Sequence, residues 1–213
     1  ELNRIGYNVH PPKVMNSRYY GTPQSRQRVF FACIRKGLNN KFEFPQKEEL
    51  KVFLKDLILK DVDKKFFLSD KKLRTFKKDR YPKIYESQQN LFMNDFDSHF
   101  VSVAIRNKNR SNHQHRNMKY GSFPVELHLR YNRDIGVSFA VKSAVHEYMI
   151  ADMDLNNIRH LTPKECFRLM GFFNDEINLE GLSNSAQYKL AGNGWDINMI
   201  SKIFKVLLKD YKN

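Results

Sequence analysis

Cysteine is scarce in this chain: Cys33 and Cys166 are the only two in 213 residues. That is too few for a disulfide framework. Both lie in apolar stretches, which suits reduced, buried thiols in a cytosolic protein. No apolar run approaches the length a membrane span needs. The first residues, Glu-Leu-Asn-Arg, form no apolar signal segment, so a cytoplasmic location is expected. Tryptophan is limited to Trp195. No basic amphipathic helix with a Trp-rich apolar face is evident, which argues against a membrane surface as partner. Acid is also short, with 23 Asp and Glu against 37 Lys and Arg, a formal net charge of +14. An imbalance of that size implies a polyanionic partner, nucleic acid first. Internal repeats and low-complexity tracts are absent. The chain does not begin with Met, so it is either processed or a piece of a longer chain.

What remains is ordinary globular material: 41% hydrophobic and 28% charged residues, enough for one good-sized core or two small ones. The order of elements is α/β. Residues 1–38 read as the tail of a helix, a short strand near Lys13-Val14-Met15, a turn, and the run Val29-Phe30-Phe31-Ala32-Cys33-Ile34, which reads as a strand buried on both faces. Leu50, Phe53, Leu54, Leu57 and Ile58 have helical spacing over Glu48 to Lys60, and Ser69 to Leu73 can open a second short helix. Between about Ile84 and Asp152 the pattern alternates, with strands expected over His99–Ile105, Val125–Tyr131, Gly136–Ala140 and Val145–Ile150. Helix signals then return. Thr162 is an N-cap, Pro163 occupies the first turn with Glu165 behind it, and Gly171 stops the helix. A last helix starts near Trp195-Asp196 and buries Ile200, Ile203, Phe204, Leu207 and Leu208.

The most informative stretch is Tyr20-Gly21-Thr22-Pro23-Gln24-Ser25-Arg26-Gln27-Arg28, which combines turn chemistry with Gln-x-Arg-x-Arg. On an extended segment Gln24, Arg26 and Arg28 share one side. Two guanidiniums at the mouth of a buried strand need an anion or several acceptors. A structural Arg–carboxylate pair and a direct functional role are both open for Arg26.

With the apolar strand behind it, this stretch resembles the eighth conserved motif of the DNA (cytosine-5) methyltransferases. Thr162 to Phe172 resembles the ninth motif. Gln187-Tyr188-Lys189-Leu190-Ala191-Gly192-Asn193-Gly194 and the following helix resemble the tenth. The resemblance implies the C-terminal part of a Rossmann-like, S-adenosylmethionine-dependent methyltransferase domain carrying a mostly β target-recognition insert. Residues 1–65 would be catalytic domain, 66–158 the recognition domain, and 159–213 the return to the catalytic domain with its closing helix. It also implies a reaction: a cysteine thiolate attacks carbon 6 of a cytosine flipped out of duplex DNA, and carbon 5 takes the methyl group. Arg28 matches the arginine that binds the base's carbonyl oxygen. Arg26 and Gln24 match supporting positions. Asn193, Gly194 and Trp195 match part of the cofactor pocket, although the family usually has Gly-Asn-Ser where this chain has Gly-Asn-Gly-Trp. Trp195 is open to two readings, an aromatic wall or core packing.

Other family parts do not occur. Neither cysteine follows a proline, no Glu-Asn-Val is present, and the only G-x-G is Gly192-Asn193-Gly194 beside the last helix. The expectation is a C-terminal half that needs an N-terminal catalytic half, as a subunit or as missing chain, and that neither binds the cofactor tightly nor methylates alone. A catalytically silent DNA-binding specificity subunit and an RNA cytosine methyltransferase of the same fold are the alternatives. Ser138-Phe139-Ala140-Val141 stands where the family has a Thr-rich, phosphate-contacting stretch, and matches it poorly. His113-x-His115 has no third ligand, so no metal site is expected.

The loop from residue 106 to 119 carries Arg106, Lys108, Arg110, Arg116 and Lys119, no acid and many amides. That is suitable chemistry for phosphates and base edges, against the alternative of a solvated loop. The chain is therefore expected to bind duplex DNA with an affinity that falls linearly on a log–log salt plot. Neutralising the five cations together should flatten the slope, by up to roughly 4 units if each meets a phosphate. Fluorescence anisotropy across a salt series checks this, and an unchanged slope would locate the phosphate contacts elsewhere.

Overall fold

The computed structural model describes residues 1–38, 41–70, 76–77, 100–107, 127–131, 136–143, 148–152 and 157–209. The fold is mixed α/β, as expected. Near the N-terminus, β1 (Tyr7–Val9) pairs antiparallel with β5 (Cys33–Arg35), and β2 (Lys13–Asn16) with β4 (Gln27–Phe30). The two-residue β3 (Gln24–Ser25) lies between β2 and β4 in sequence but pairs elsewhere. After one helical turn, α1 (Leu54–Leu57), comes a five-stranded sheet. Its strands are β6 (Phe76–Lys77), β7 (Phe100–Asn107), β8 (Leu127–Tyr131), β10 (Tyr148–Asp152) and β11 (Ile158–His160), in the order β11-β10-β7-β8-β6. β9 (Ser138–Phe139) leaves that sheet and pairs parallel with β3. Three helices close the chain: α2 (Pro163–Arg168), α3 (Asn184–Asn193) and α4 (Ile197–Leu207).

Two apolar clusters hold these parts together. In one, Leu54, Leu57, Ile150, Leu161, Phe167, Leu169, Met170, Tyr188 and Ala191 join α1, the five-stranded sheet, α2 and α3. In the other, Met15, Tyr20, Ala32, Ile34 and Phe42 pack on Met199 and Ile203 of α4. The capping signals of α2 are realised in full. Thr162 Oγ1 accepts from Glu165 N, and Glu165 Oε2 accepts from Thr162 N. Glu165 also takes a bidentate Arg159 at 2.6 and 2.8 Å and the Leu59 amide at 2.8 Å, so this buried carboxylate has no idle acceptor face. One ion pair thus ties the last strand of the five-stranded sheet to the start of α2. Gly171, at φ +95°, supplies the left-handed stop.

Gly192 on α3 is required for space. A Cβ there would stand 2.2 Å from the backbone of Lys142 and Ser143. The segment after β9 therefore rests directly on the helix, backbone to backbone.

Several expectations fail in informative ways. The opening residues form turns rather than a helix end, and β1 follows them. The run from Val29 to Ile34 is not one buried strand. β4 stops at Phe30, β5 begins at Cys33, and Val29 and Phe31 are 62% and 61% exposed. Each hairpin has only one face on a core, so hydrophobicity alone overstated burial. The helix over Glu48 to Lys60 shrinks to α1, where the Leu54 amide donates instead to the Gly136 carbonyl. In α4 the buried residues are Met199 and Ile203, whereas Phe204 and Leu208 are exposed at 45% and 52%. Cys166 is buried as expected and Cys33 only partly. The four strands expected between residues 99 and 150 fall within three residues of their expected places, although the sheet's connecting segments lie outside the described residues. So does most of the second short helix from Ser69 to Leu73. Among the described residues no helix is long and apolar enough to cross a membrane.

Candidate functional site

The Gln-x-Arg-x-Arg side chains do not share a side. β3 turns away to meet β9, the chain kinks at Arg26, and β4 then runs along β2. Gln24 and Arg26 point into the protein, and Arg28 points out.

Gln24 is completely buried and uses both ends of its amide. Nε2 donates to the Leu169 carbonyl at the end of α2, and Oε1 accepts from the Val141 amide at 2.9 Å. Arg26, 3% exposed, donates from Nη1 to the Val141 carbonyl at 2.6 Å. Its Nη2 reaches the carbonyls of Gly192 and Gly194 at 3.0 and 2.9 Å. Both backbone polar groups of Val141 are thus held by this motif. Neither open reading of Arg26 had this form: its partners are backbone carbonyls, and no carboxylate closes a hydrogen bond on it. Desolvation, then the nearby Arg28 cation, pushes its pKa down to about 10, so it stays protonated at neutral pH.

Two of the three carbonyls that Arg26 holds, those of Gly192 and Gly194, stand at the end of α3 and in the turn that leads through Trp195 and Asp196 to α4. Asp196 caps α4, its Oδ1 accepting from the Met199 amide at 2.9 Å and from Thr22 Oγ1 at 3.1 Å. Asn198 Nδ2 in turn donates to Thr22 Oγ1 at 3.1 Å. The second carboxylate oxygen is buried without a partner, as is Ser17 Oγ. The Ser17 hydroxyl contributes to stabilising the carboxylate charge but closes no geometrically sound hydrogen bond. Burial raises the Asp196 pKa, against the opposing pull of Met199, Thr22 and Arg26.

Around this turn opens a cleft of about 490 Å³, lined by Arg26, Arg28, Val29, Phe30, Phe31, Gly192, Asn193, Gly194, Trp195, Asp196, Met199 and Ile200. The eighth-motif arginine and the tenth-motif residues, 165 positions apart, therefore border one space. Arg28 itself is exposed, and its Nη1 donates only to the neighbouring Gln27 carbonyl at 2.7 Å. Among the described residues no core fixes its direction. Trp195 is 64% exposed, which favours the aromatic wall over core packing. Asn193 is exposed at the rim.

Elsewhere the expected sites gain little. Arg106 is the penultimate residue of β7, but its side chain and all of Lys108, Arg110, Arg116 and Lys119 lie outside the described residues, as do His113 and His115. Ser138 is fully buried and donates to the Phe139 carbonyl at 2.9 Å, so it faces no phosphate. Cys166 is buried with its thiol pKa pushed up by desolvation and by Glu165, which removes it as a nucleophile. No group of three metal-ligating side chains occurs among the described residues. Thr22 and Asp196 escaped the reading of the sequence. The only signal was the placement of Thr22 inside the turn motif and of Asp196 at a helix start.

Comparison with known proteins places this geometry in context. The family model described as C-5 cytosine-specific DNA methylase matches residues 1–209. A type II methyltransferase of Methanothermobacter thermautotrophicus, M.MthTI, is 30% identical over 209 residues, covering 97% of this chain and 58% of its own length. A Lactococcus lactis type II methyltransferase, M2.ScrFI, is 26% identical over 98% of this chain and 47% of its own length. Among solved structures, the Schizosaccharomyces pombe Dnmt2 methyltransferase superposes with a TM-score of 0.56 at 14% identity, over 99% of this chain and 60% of that one. The Entamoeba histolytica methyltransferase EhMeth gives 0.51 at 18% identity. The chain thus spans about half the length of the relatives it matches.

The Asp196 environment sets a pH dependence. A carboxylate whose folded pKa is raised holds its proton in a window where the unfolded chain has lost it. Its contribution to stability therefore falls as pH rises from the ordinary carboxylate range through the raised value. Asp196→Asn keeps a cap but cannot titrate, so its stability relative to the parent should improve as pH rises from 4 to 8. Urea melts across that range check this, and a pH-independent difference would mean that Asp196 is ionised throughout.

Proposed function

The chain belongs to the C-5 cytosine-specific DNA methylase family, and from that premise we propose that it is the C-terminal half of a DNA (cytosine-5) methyltransferase. In this reading it supplies target recognition together with one wall of the cytosine and cofactor pockets. The observation that carries the reading is the single cleft shared by Arg28 and the Asn193-Gly194-Trp195 turn. Members of this family use S-adenosylmethionine, which when bound supplies the methyl group. The donor set fits it in kind: an exposed indole suits a purine face, the Asn193 amide both donates and accepts, and the volume suits a ligand of that size. The site is only half built, because the catalytic Pro-Cys and the glycine-rich loop are not among these residues. Duplex DNA is the proposed substrate, supported by the family and by the type II methyltransferase relatives.

The roles divide by burial. Gln24 and Arg26 position the turn and the recognition segment, and act on the reaction only through them. Arg28 would touch the base. A guanidinium at the cytosine carbonyl oxygen meets an acceptor that gains charge as a thiolate adds to the ring. Its contact is then stronger in the transition state than in the ground state. Arg28 is exposed and bonds only the Gln27 carbonyl among the described residues, so its aim would depend on whatever covers the cleft. The N-terminal half, proposed as a second polypeptide or preceding segment, would both bring the nucleophile and order Arg28.

The test is single-turnover methylation of duplex DNA by a complex rebuilt with an N-terminal half, at saturating DNA. Arg28→Ala should slow methyl transfer by on the order of 100-fold while leaving DNA affinity nearly unchanged. Lysine should rescue poorly, since an ammonium lacks the planar fork. Thermal melting should move little, because Arg28 makes only one exposed hydrogen bond. A normal rate in the folded complex would remove Arg28 from the mechanism.

A further inference from the structure

Trp195 stands between two anchored neighbours. On its N-terminal side the Gly194 carbonyl accepts from Arg26 Nη2 at 2.9 Å, and the Gly194 amide donates to the Leu190 carbonyl at 2.9 Å. On its C-terminal side Asp196 is 1% exposed and accepts from Thr22 Oγ1 at 3.1 Å. The next amide, that of Ile197, donates to the Met170 carbonyl at 2.9 Å. Thr22 and Arg26 are close in sequence, so one short stretch grips the α3–α4 turn at both ends. The end of α2 backs the same place: a Cβ on Gly171 would stand 3.2 Å from Ile197 Cβ and 3.3 Å from the Asn198 amide nitrogen.

The two anchors differ in kind. Arg26 uses main-chain carbonyls, which any residue supplies. The other anchor needs a particular side chain at each end. The Thr22 hydroxyl is fully buried and bonds on both sides, donating to Asp196 Oδ1 and accepting from Asn198 Nδ2 at 3.1 Å. An amide nitrogen can only donate, so the one hydroxyl proton is directed to the carboxylate. Asp196 Oδ1 also accepts from the Met199 amide, which makes the same oxygen the cap of α4. One buried hydroxyl thus joins the turn motif, the helix cap and the residue that follows Trp195. Removing it leaves a buried carboxylate oxygen short of a partner.

We infer that Thr22 is a positioning residue for the cofactor side of the cleft. Acting through Asp196, it holds the Asn193-Gly194-Trp195 turn in the arrangement that receives S-adenosylmethionine. The identity of the ligand rests on the proposed function, and the clamp rests on the hydrogen bonds. Asp196 lines the cleft and Thr22 does not, so the effect of Thr22 is indirect. With the clamp released, the turn samples other arrangements. Apparent affinity for the cofactor then falls by the fraction still in the receptive one. Once the cofactor saturates, the reaction itself is left as it was.

Thr22→Val keeps the shape and removes the hydroxyl, and Thr22→Ser restores it. Trp195 is the sole tryptophan, so time-resolved fluorescence anisotropy of the full chain follows this turn with neither cofactor nor partner present. Thr22→Val should enlarge the nanosecond local depolarisation, and Thr22→Ser should resemble the parent. In the complex rebuilt with an N-terminal half, Thr22→Val should raise the KM for S-adenosylmethionine by about tenfold. Its kcat and DNA affinity should stay near those of the parent, and serine should recover most of the KM. Asn198→Ala, at a half-buried position, withdraws the other partner of the same hydroxyl. It should move both readouts in the same direction by less, which keeps the test intact should Thr22→Val not fold. Parent-like anisotropy and KM in a folded Thr22→Val would overturn the inference, even with a lower melting temperature, since Thr22 would then serve the helix cap alone. A fall in kcat at unchanged KM would overturn it too. A parent complex that transfers no methyl group would overturn the proposed function and with it the ligand's identity, while the anisotropy would still decide whether Thr22 holds the turn.

Discussion

A buried guanidinium hydrogen-bonded to main-chain carbonyls rather than to a carboxylate lies at the centre of this structure. Taking a cation out of water costs several kcal/mol unless its donors find acceptors. Arg26 meets that requirement with the carbonyls of Val141, Gly192 and Gly194. Hydrogen bonds from a charged donor contribute about 1.5–3 kcal/mol each, and breaking the set leaves three buried carbonyls unsatisfied. The arrangement therefore holds only when β3, the segment after β9 and the α3–α4 turn are all in place. Gln24 works in the same direction, holding the Val141 amide with one end and the last turn of α2 with the other.

The functional consequence is geometric. The segment around β9, Val137 to Ser143, is fastened through Val141 to the same motif that forms one wall of the cleft. Gly192 lets that segment lie directly on α3, and the Arg159–Glu165 pair ties the last strand of the sheet to α2. The five-stranded sheet and the cleft are thus connected through backbone atoms, whose positions vary less than those of side chains. By contrast, the groups that would meet substrate and cofactor, Arg28, Asn193 and Trp195, are exposed and lightly held. Rigid support beneath an exposed rim is what places binding groups reproducibly.

Much of this was legible in the sequence, and the failures share a cause. The capping box at Thr162 and Glu165 could be read because both partners lie within four residues. Alternation located the recognition strands for the same reason: the signal is local. The ordered motifs likewise brought Arg28 and Asn193 to one site before any geometry was known. Arg26 was ambiguous because its acceptors are main-chain carbonyls more than 110 positions away, and every residue type carries one. The strand at Val29 looked buried because an apolar run does not reveal which of its faces meets a core, and Val29 is 62% exposed. Asp196 read as a helix start, and its contact with Thr22, 174 positions distant, left no pattern.

The central claim is that one buried arginine couples the recognition segment to the wall of the cleft. Hydrogen exchange on an Arg26→Lys variant tests it directly, because a single ammonium cannot span three carbonyls in two directions. The account predicts that amide protection falls together in residues 137–143 and 190–195, by about tenfold or more if one charge-assisted hydrogen bond is lost, while β2 and β4 keep theirs. Protection that is unchanged in either segment, or lost uniformly throughout the chain, would contradict it.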